Sequence, residues 1–148
     1  MKIKLGKTEL IHFIGIGGIG MSGLALIMKE LGFKVQGSDI SINKNIERLK
    51  KNKIKVFEGH KISNLNKTTV LVKSSAIKKN NSEFEHAKRK KIPIYSRGDM
   101  LGHVVSLMKN IVVAGSHGKT TTTSLISNIF FKAKIDPTVI NGGVLNSF

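Results

Sequence analysis

The sequence predicts an α/β fold with a parallel sheet covered by helices on both faces, and three observations carry that reading. Short apolar runs of strand length alternate with helical stretches along the chain. The first run ends in a cluster of glycines and leads straight into an apolar helix. No internal repeat or low-complexity linker interrupts the alternation.

Taken in order, Leu10–Ile16 is a short apolar run ending beside glycine, the signature of a buried parallel strand. Met21–Leu31 reads as a helix with Leu24, Ile27, Met28 and Leu31 on one side and Gly32 as its stop. Lys34–Ser38 is a second strand, closed by Asp39. Asn45–Lys51 is a helix with Ile46 and Leu49 inward, and Lys55–Phe57 a short strand. Thr69–Val72 is a further strand, Ser82–Lys90 a helix and Ile92–Tyr95 a strand around Pro93. Asp99–Met108 is a helix burying Leu101, Val104, Val105 and Met108. The pattern then restarts, with a strand at Ile111–Ala114, a loop at Gly115–Gly118, a helix at Lys119–Lys132 and a strand at Thr138–Ile140. The polar step Lys109-Asn110 is the best boundary, giving units of 1–108 and 109–148. The second, about forty residues, is below what usually folds alone, so the sequence reads as cut short in a domain it has just begun.

At 148 residues the chain has room for one ordinary α/β domain, or a small domain and the start of another. A hydrophobic share of 40% with 23% charged residues excludes a disordered chain. The absence of cysteine excludes a disulfide scaffold, a cysteine metal site and a thiol nucleophile. The net charge of +16 raises the question of nucleic acid, but only Arg48, Arg89 and Arg97 are arginines. Base readout and bidentate phosphate forks favour arginine, the lysines are scattered, and aromatics at 5% are too few for a stacking platform. The densest basic cluster, Lys88 to Lys91, ends a helix, where cations suit the dipole. Leu10 to Met28 lacks charge over a membrane-spanning length. Its five glycines and the lack of a small-residue cleavage site favour strand, turn and buried helix over a membrane segment or signal peptide. The expected location is the cytoplasm, with neither membrane nor nucleic acid as partner.

Two glycine loops carry the chemistry. Gly15-Ile-Gly17-Gly-Ile-Gly20 fits G-x-G-x-x-G between a strand and a helix, where close backbone approach and helix N–H groups attract a phosphate. Asp39 lies nineteen residues after Gly20 at the end of the next strand, placed to accept from a ribose. The pattern is Rossmann-like and fits a dinucleotide or a UDP-sugar equally, since both present a pyrophosphate and a ribose. An NAD-dependent oxidoreductase domain is the alternative it leaves open.

The second loop separates the two. Gly115-Ser116-His117-Gly118-Lys119-Thr120 has P-loop chemistry: backbone N–H groups wrap phosphates, the lysine reaches their terminal oxygens, and the Thr120 hydroxyl ligands Mg²⁺. Its spacing is short, because Val113 stands where the first glycine of the longer motif belongs. Four consecutive threonines, Thr120 to Thr123, are poor helix formers, better explained by hydroxyls wanted near a phosphate or metal. Hydride transfer has no need of such a loop, so the reading tips to nucleotide-driven transfer. The fold class is accordingly a Rossmann-like parallel sheet followed by the truncated start of a P-loop ATPase domain.

The run His12 to Gly23, followed by Gly37-Ser38-Asp39, Ser74-Ser75-Ala76-Ile77 and Gly115 to Thr122, closely resembles the Mur ligase family, in order and at matching spacing over nearly the whole chain. The shortened P-loop is a feature of that family. Within it, the Gly15–Gly23 stretch is nearer the alanine-adding branch than the murein-peptide-recycling one. Ser116 stands where threonine is commoner and Asp99 where glutamate is usual; both swaps keep the functional group.

The resemblance implies an enzyme of peptidoglycan precursor synthesis whose partners are UDP-N-acetylmuramate, L-alanine and ATP with Mg²⁺. It implies that Gly17, Gly18, Ile19 and Gly20 meet the pyrophosphate through their N–H groups, with Ser22 as a hydroxyl donor. Ser38 and Asp39 would lie near ribose and uracil, and Ser74, Ser75 and Ala76 would line the same crevice. His60 and Arg97 are further candidates, Arg97 being alternatively an ion-pair partner for Asp99. Gly115, Ser116, His117, Gly118, Lys119, Thr120 and Thr121 would hold ATP. Lys119 and Thr120 would be catalytic, the first neutralising charge on the transferring phosphoryl group and the second holding Mg²⁺. The resemblance further implies metal ligands and an alanine site outside this sequence, so this chain would bind the UDP-sugar without catalysing.

Overall fold

Five strands form one parallel sheet in the order β3-β2-β1-β4-β5: β1 Leu10–Ile14, β2 Lys34–Asp39, β3 Lys55–Glu58, β4 Val70–Lys73 and β5 Ile94–Ser96. The computed structural model describes residue 3 and residues 5–141 and 144–146. The central strand β1 is apolar apart from His12, as burial on both faces requires. Register sets the faces. Ile11, Phe13, Val35, Val70 and Val72 point to one side, where α1 (Ile19–Glu30), α2 (Lys44–Lys51) and α4 (Arg97–Ser106) pack in the main core. Ile14 and Leu71 point to the other, against Leu65 of the 3₁₀ helix Ile62–Leu65 and Ala87 of α3 (Ser82–Arg89).

The apolar stretch from Leu10 to Met28 resolves into β1, a glycine turn and α1, whose residues Met21 to Met28 are all buried. Among the described residues no helix is long and apolar enough to cross a membrane. Helix ends follow local chemistry. Asn43 and Asn81 cap α2 and α3 through their side chains, and Ser96 with Asp99 forms a capping box at the start of α4. After α1, Gly32 takes the left-handed conformation, with Gly32 N–H donating to Lys29 O and Phe33 N–H to Met28 O.

Residues 109–148, expected to begin a second unit, depart from expectation in two ways. Residues 111–114 form no strand, and Ile111 and Val112 are exposed; among the described residues no strand pairs with them. An apolar run becomes a parallel strand only when neighbours satisfy its backbone groups. The predicted strand at Thr138–Ile140 is instead β6 (Val139–Asn141), paired antiparallel with β7 (Val144–Asn146), which lies beside α1. A connection this short permits only the antiparallel pairing. The helix of the second unit, α5 (Lys119–Lys132), forms as expected. The expected start of a P-loop ATPase domain is therefore not shown here: a loop and a helix form, but the strand that should precede them does not.

Candidate functional site

The strand order reverses between β1 and β4, so the crevice at their C-terminal ends is where a parallel α/β sheet takes a ligand. The glycine loop after β1 and the Ser74 loop after β4 meet there. Gly15, at φ +77°, needs the conformational freedom of glycine, and a Cβ on it would sit 3.3 Å from that of Ser74. The N–H groups of Gly15 and Ile16 both donate to Ser38 O, at 2.8 and 3.0 Å, which ties the loop to the end of β2. Gly18 opens α1 without a side-chain cap, so the first-turn N–H groups remain for an anion. Gly18 and Ile19 are exposed at this point.

Asp39 closes the next strand. Its Oδ2 accepts the Gly17 N–H at 2.8 Å, and its Oδ1 accepts the Ser41 N–H and hydroxyl, both at 3.1 Å. The carboxylate therefore shapes the glycine loop while keeping one acceptor position, on Oδ2, for a hydroxyl donor. Arg97, the first residue of α4, lays its guanidinium against Gly20, in the space a Cβ there would fill. That puts a cation beside the start of α1. The alternative pairing of Arg97 with Asp99 is not formed: Asp99 Oδ2 accepts the Ser96 hydroxyl at 2.6 Å and N–H at 2.9 Å. The Ser96 hydroxyl, more than its N–H, holds the Asp99 carboxyl below its ordinary value.

Between β4 and β5 a cleft gathers Ser75 and Arg97 with Lys73, Ser96 and Gly98. Lys73 escaped the sequence reading; its position at the C-terminal end of a parallel strand was the available signal. Ala76 is exposed, and its N–H donates to Ser74 Oγ at 3.3 Å. Two predicted hydroxyls turn away from the crevice. Ser22 is buried with Oγ donating to Ile19 O at 3.0 Å, and Ser38 is fully buried with Oγ donating to Glu83 Oε2 at 2.6 Å. At the crevice Ser38 acts through its carbonyl.

Beneath the sheet at this end lies a cluster that sequence reasoning missed. His12, Gln36, Ser38, Asn64 and Glu83 are buried together, and His60 Nδ1 reaches them from the loop after β3. Burial pushes the Glu83 carboxyl up, but hydrogen bonds from His12, Ser38 and Asn64 outweigh it, so the net shift is downward from 4.5.

The second loop stands apart from these contacts. Gly118 takes φ +75° and caps α5 without a side chain, leaving first-turn N–H groups for a phosphate. Lys119 Nζ donates to Gly115 O at 2.6 Å and Ser116 O at 3.1 Å. Residues Gly115 to Thr121 are all exposed, Ser116, His117, Thr120 and Thr121 among them. This donor set of backbone N–H groups, an ammonium and a hydroxyl fits a magnesium-bound triphosphate. Among the described residues no group of three His, Cys, Asp or Glu is arranged to hold a metal, so these residues alone give the ion only the Thr120 hydroxyl.

Residues 10–109 match the model of the Mur ligase family, catalytic domain. The UDP-N-acetylmuramate–L-alanine ligase of Pelagibacter ubique is 68% identical over 99% of this chain, and that of Brucella ovis 50% identical over all of it. The chain spans about a third of the length of these relatives, 32% and 31%. Among solved structures, the UDP-N-acetylmuramate-alanine ligase of Thermotoga maritima superposes with a TM-score of 0.79 at 34% identity, covering 89% of this chain and 31% of that one. A murein peptide ligase from Psychrobacter arcticus gives 0.82 at 32%, covering 92% and 29%. Among these solved structures neither fold nor identity separates the two branches, whereas the two curated relatives named above are alanine-adding ligases. The oxidoreductase alternative finds no support in these likenesses.

Proposed function

Because this chain belongs to the Mur ligase family, we propose that it is the UDP-sugar-binding part of an enzyme joining L-alanine to UDP-N-acetylmuramate, with residues 1–108 as that unit and 109–148 as the beginning of the ATP-binding one. The observation that carries the reading is the glycine loop at the switch point, with uncapped helix N–H groups beside Arg97 and Asp39 at the neighbouring strand end. The pyrophosphate would rest on the N–H groups of Ile19 and Gly20, joined by that of Gly18 once it leaves Gly15 O, with Arg97 neutralising charge from the α4 side. The ribose hydroxyls would donate to Asp39. Ser74, Ser75 and Ala76 would line the sugar side of the crevice, where Lys73 adds a second cation.

ATP with Mg²⁺ would activate the muramoyl carboxylate as an acyl phosphate, from which the alanine amine displaces phosphate to leave the amide. In that reaction Lys119 would release its two loop carbonyls to face phosphate oxygens, and Thr120 would turn its hydroxyl to the ion. Both residues stand in the first turn of α5, directly after Gly118. Activity of this kind belongs in the cytoplasm, where ATP and UDP-sugars are.

Isothermal titration of the chain with UDP-N-acetylmuramate and, separately, NAD tests the reading. Saturable binding of the UDP-sugar with none of NAD is expected. A folded sample that ignores the UDP-sugar would sink it.

A further inference from the structure

The buried polar cluster under β1 and β2 has no part in the chemistry proposed above, yet its hydrogen bonds leave little freedom in where its protons sit. Glu83, in the first turn of α3 and fully buried, accepts from Ser38 Oγ at 2.6 Å and from Asn64 Nδ2 at 2.7 Å. It also lies 3.3 Å from His60 Nδ1 and 3.5 Å from His12 Nε2. One carboxylate therefore gathers β1, β2, the loop after β3 and the 3₁₀ helix.

The Ser38 hydroxyl has a single proton, and at 2.6 Å from a carboxylate that proton goes to Glu83. Its oxygen, 2.9 Å from His60 Nδ1, must then accept, so Nδ1 carries the imidazole proton. On the far side Gln36 Nε2 donates to Asn64 O at 2.9 Å, which fixes the amide and presents an N–H to His12 Nδ1 at 3.2 Å. His12 thus accepts at Nδ1 and points Nε2–H towards Ser38 and Glu83. His60 Nε2, by contrast, has no hydrogen-bond partner among the described residues, on a ring 13% exposed. His60 follows Gly59, whose N–H donates to Asp39 O at 2.7 Å, so the loop that carries His60 is tied to the strand end bearing the proposed ribose-binding carboxylate.

We propose that Glu83 is a positioning residue: from beneath the sheet it holds His60 in the Nδ1–H tautomer, so that Nε2 is offered as a hydrogen-bond acceptor to an N–H or O–H donor of the bound nucleotide. The orientation of His60 stands on geometry alone, and only the identity of the ligand rests on the function proposed above.

Glu83→Gln is the informative change. Asn64 Nδ2 is held by Gly59 O at 3.0 Å as well as by Glu83, so Asn64 cannot turn its oxygen round without losing that bond. With its NH₂ towards Asn64 the new amide would set two donor groups against each other, so it places its oxygen there and its NH₂ against Ser38. That makes the hydroxyl donate to His60 and moves the ring proton to Nε2.

Side-chain ¹⁵N NMR of the whole chain at neutral pH reads this directly, with calorimetry against UDP alongside. The wild type is expected to show His60 as Nδ1–H, and Glu83→Gln to move it towards Nε2–H. Glu83→Gln and His60→Ala should each weaken UDP about tenfold, and the double variant no more than either. His60 as Nε2–H in the wild type would overturn the proposal. So would a folded Glu83→Gln that keeps the wild-type tautomer or UDP affinity. Should Glu83→Gln not fold, the wild-type tautomer and the UDP affinity of His60→Ala still decide, unchanged affinity counting against it. A wild type that ignores UDP overturns the function proposed above, and the tautomer spectrum then judges Glu83 by itself.

Discussion

Glu83 shows how far a residue's neighbours can reverse its intrinsic tendency. Burial disfavours its charge, but the donors from His12, Ser38 and Asn64 outweigh that and leave the carboxyl below 4.5. A depressed folded value means that the native state holds the proton less tightly than the unfolded chain. The resulting stability is complete above about 4.5 and is lost as pH falls through the depressed value. Melting temperatures followed from neutral pH to pH 3 should therefore drop below about pH 4.5. The drop should be shallower in Glu83→Gln, and identical slopes in the two proteins would contradict the assignment. Glycine choice is equally local in its consequences. A Cβ on Gly37 would lie 2.5 Å from Phe13 O and 2.6 Å from Ile16 Cδ1, so the β2 backbone passes under the glycine loop only because nothing projects there.

At the scale of elements, the helix ends hold a reserve of stability. Lys53, Lys91 and Lys134 follow α2, α3 and α5 in the left-handed conformation, at φ 58°, 54° and 58°. Each donates to the carbonyl three residues back, as Gly32 does after α1. A side chain with a Cβ is strained there, although a cation near the last carbonyls offsets part of the cost. Lys53→Gly and Lys91→Gly are each expected to stabilise the chain by about 0.5–1 kcal/mol. The check is a shift of the urea midpoint at unchanged slope; no shift or a loss would show that the cation matters more than the strain.

The two glycine loops differ in setting. The first is built into the five-stranded sheet through Ser38, Asp39 and Ser74; the second sits on exposed residues whose hydrogen bonds, among the described residues, run within the loop and to Asn141, the Asn141 amide donating to Thr120 O at 3.4 Å. Lys119→Ala should then leave the thermal shift produced by UDP-N-acetylmuramate unchanged within error. A clear reduction would mean that the lysine contributes to the first site as well.

Element order was legible along most of the chain, because burial imposes apolar runs on parallel strands and glycine marks the turns that leave them. The G-x-G-x-x-G loop, Asp39 and the Gly-Lys-Thr turn were legible for the same reason: each needs particular residues at fixed spacing. The 3₁₀ helix Ile62–Leu65 carried no such mark. Nor was the fate of Ile111–Ala114 or Thr138–Ile140 written locally, since a strand exists only with a partner and the partner's direction comes from elsewhere. The tertiary structure alone decided that Ser38 faces inward, that Arg97 covers Gly20, that Lys73 joins the cleft and that Glu83 meets two histidines 23 and 71 positions away in sequence. By itself the sequence determined the family and both glycine loops, through short-range backbone requirements. The long-range pairing of side chains around those loops was settled only when the strands took their order, because that order is what brings distant residues into hydrogen-bond reach.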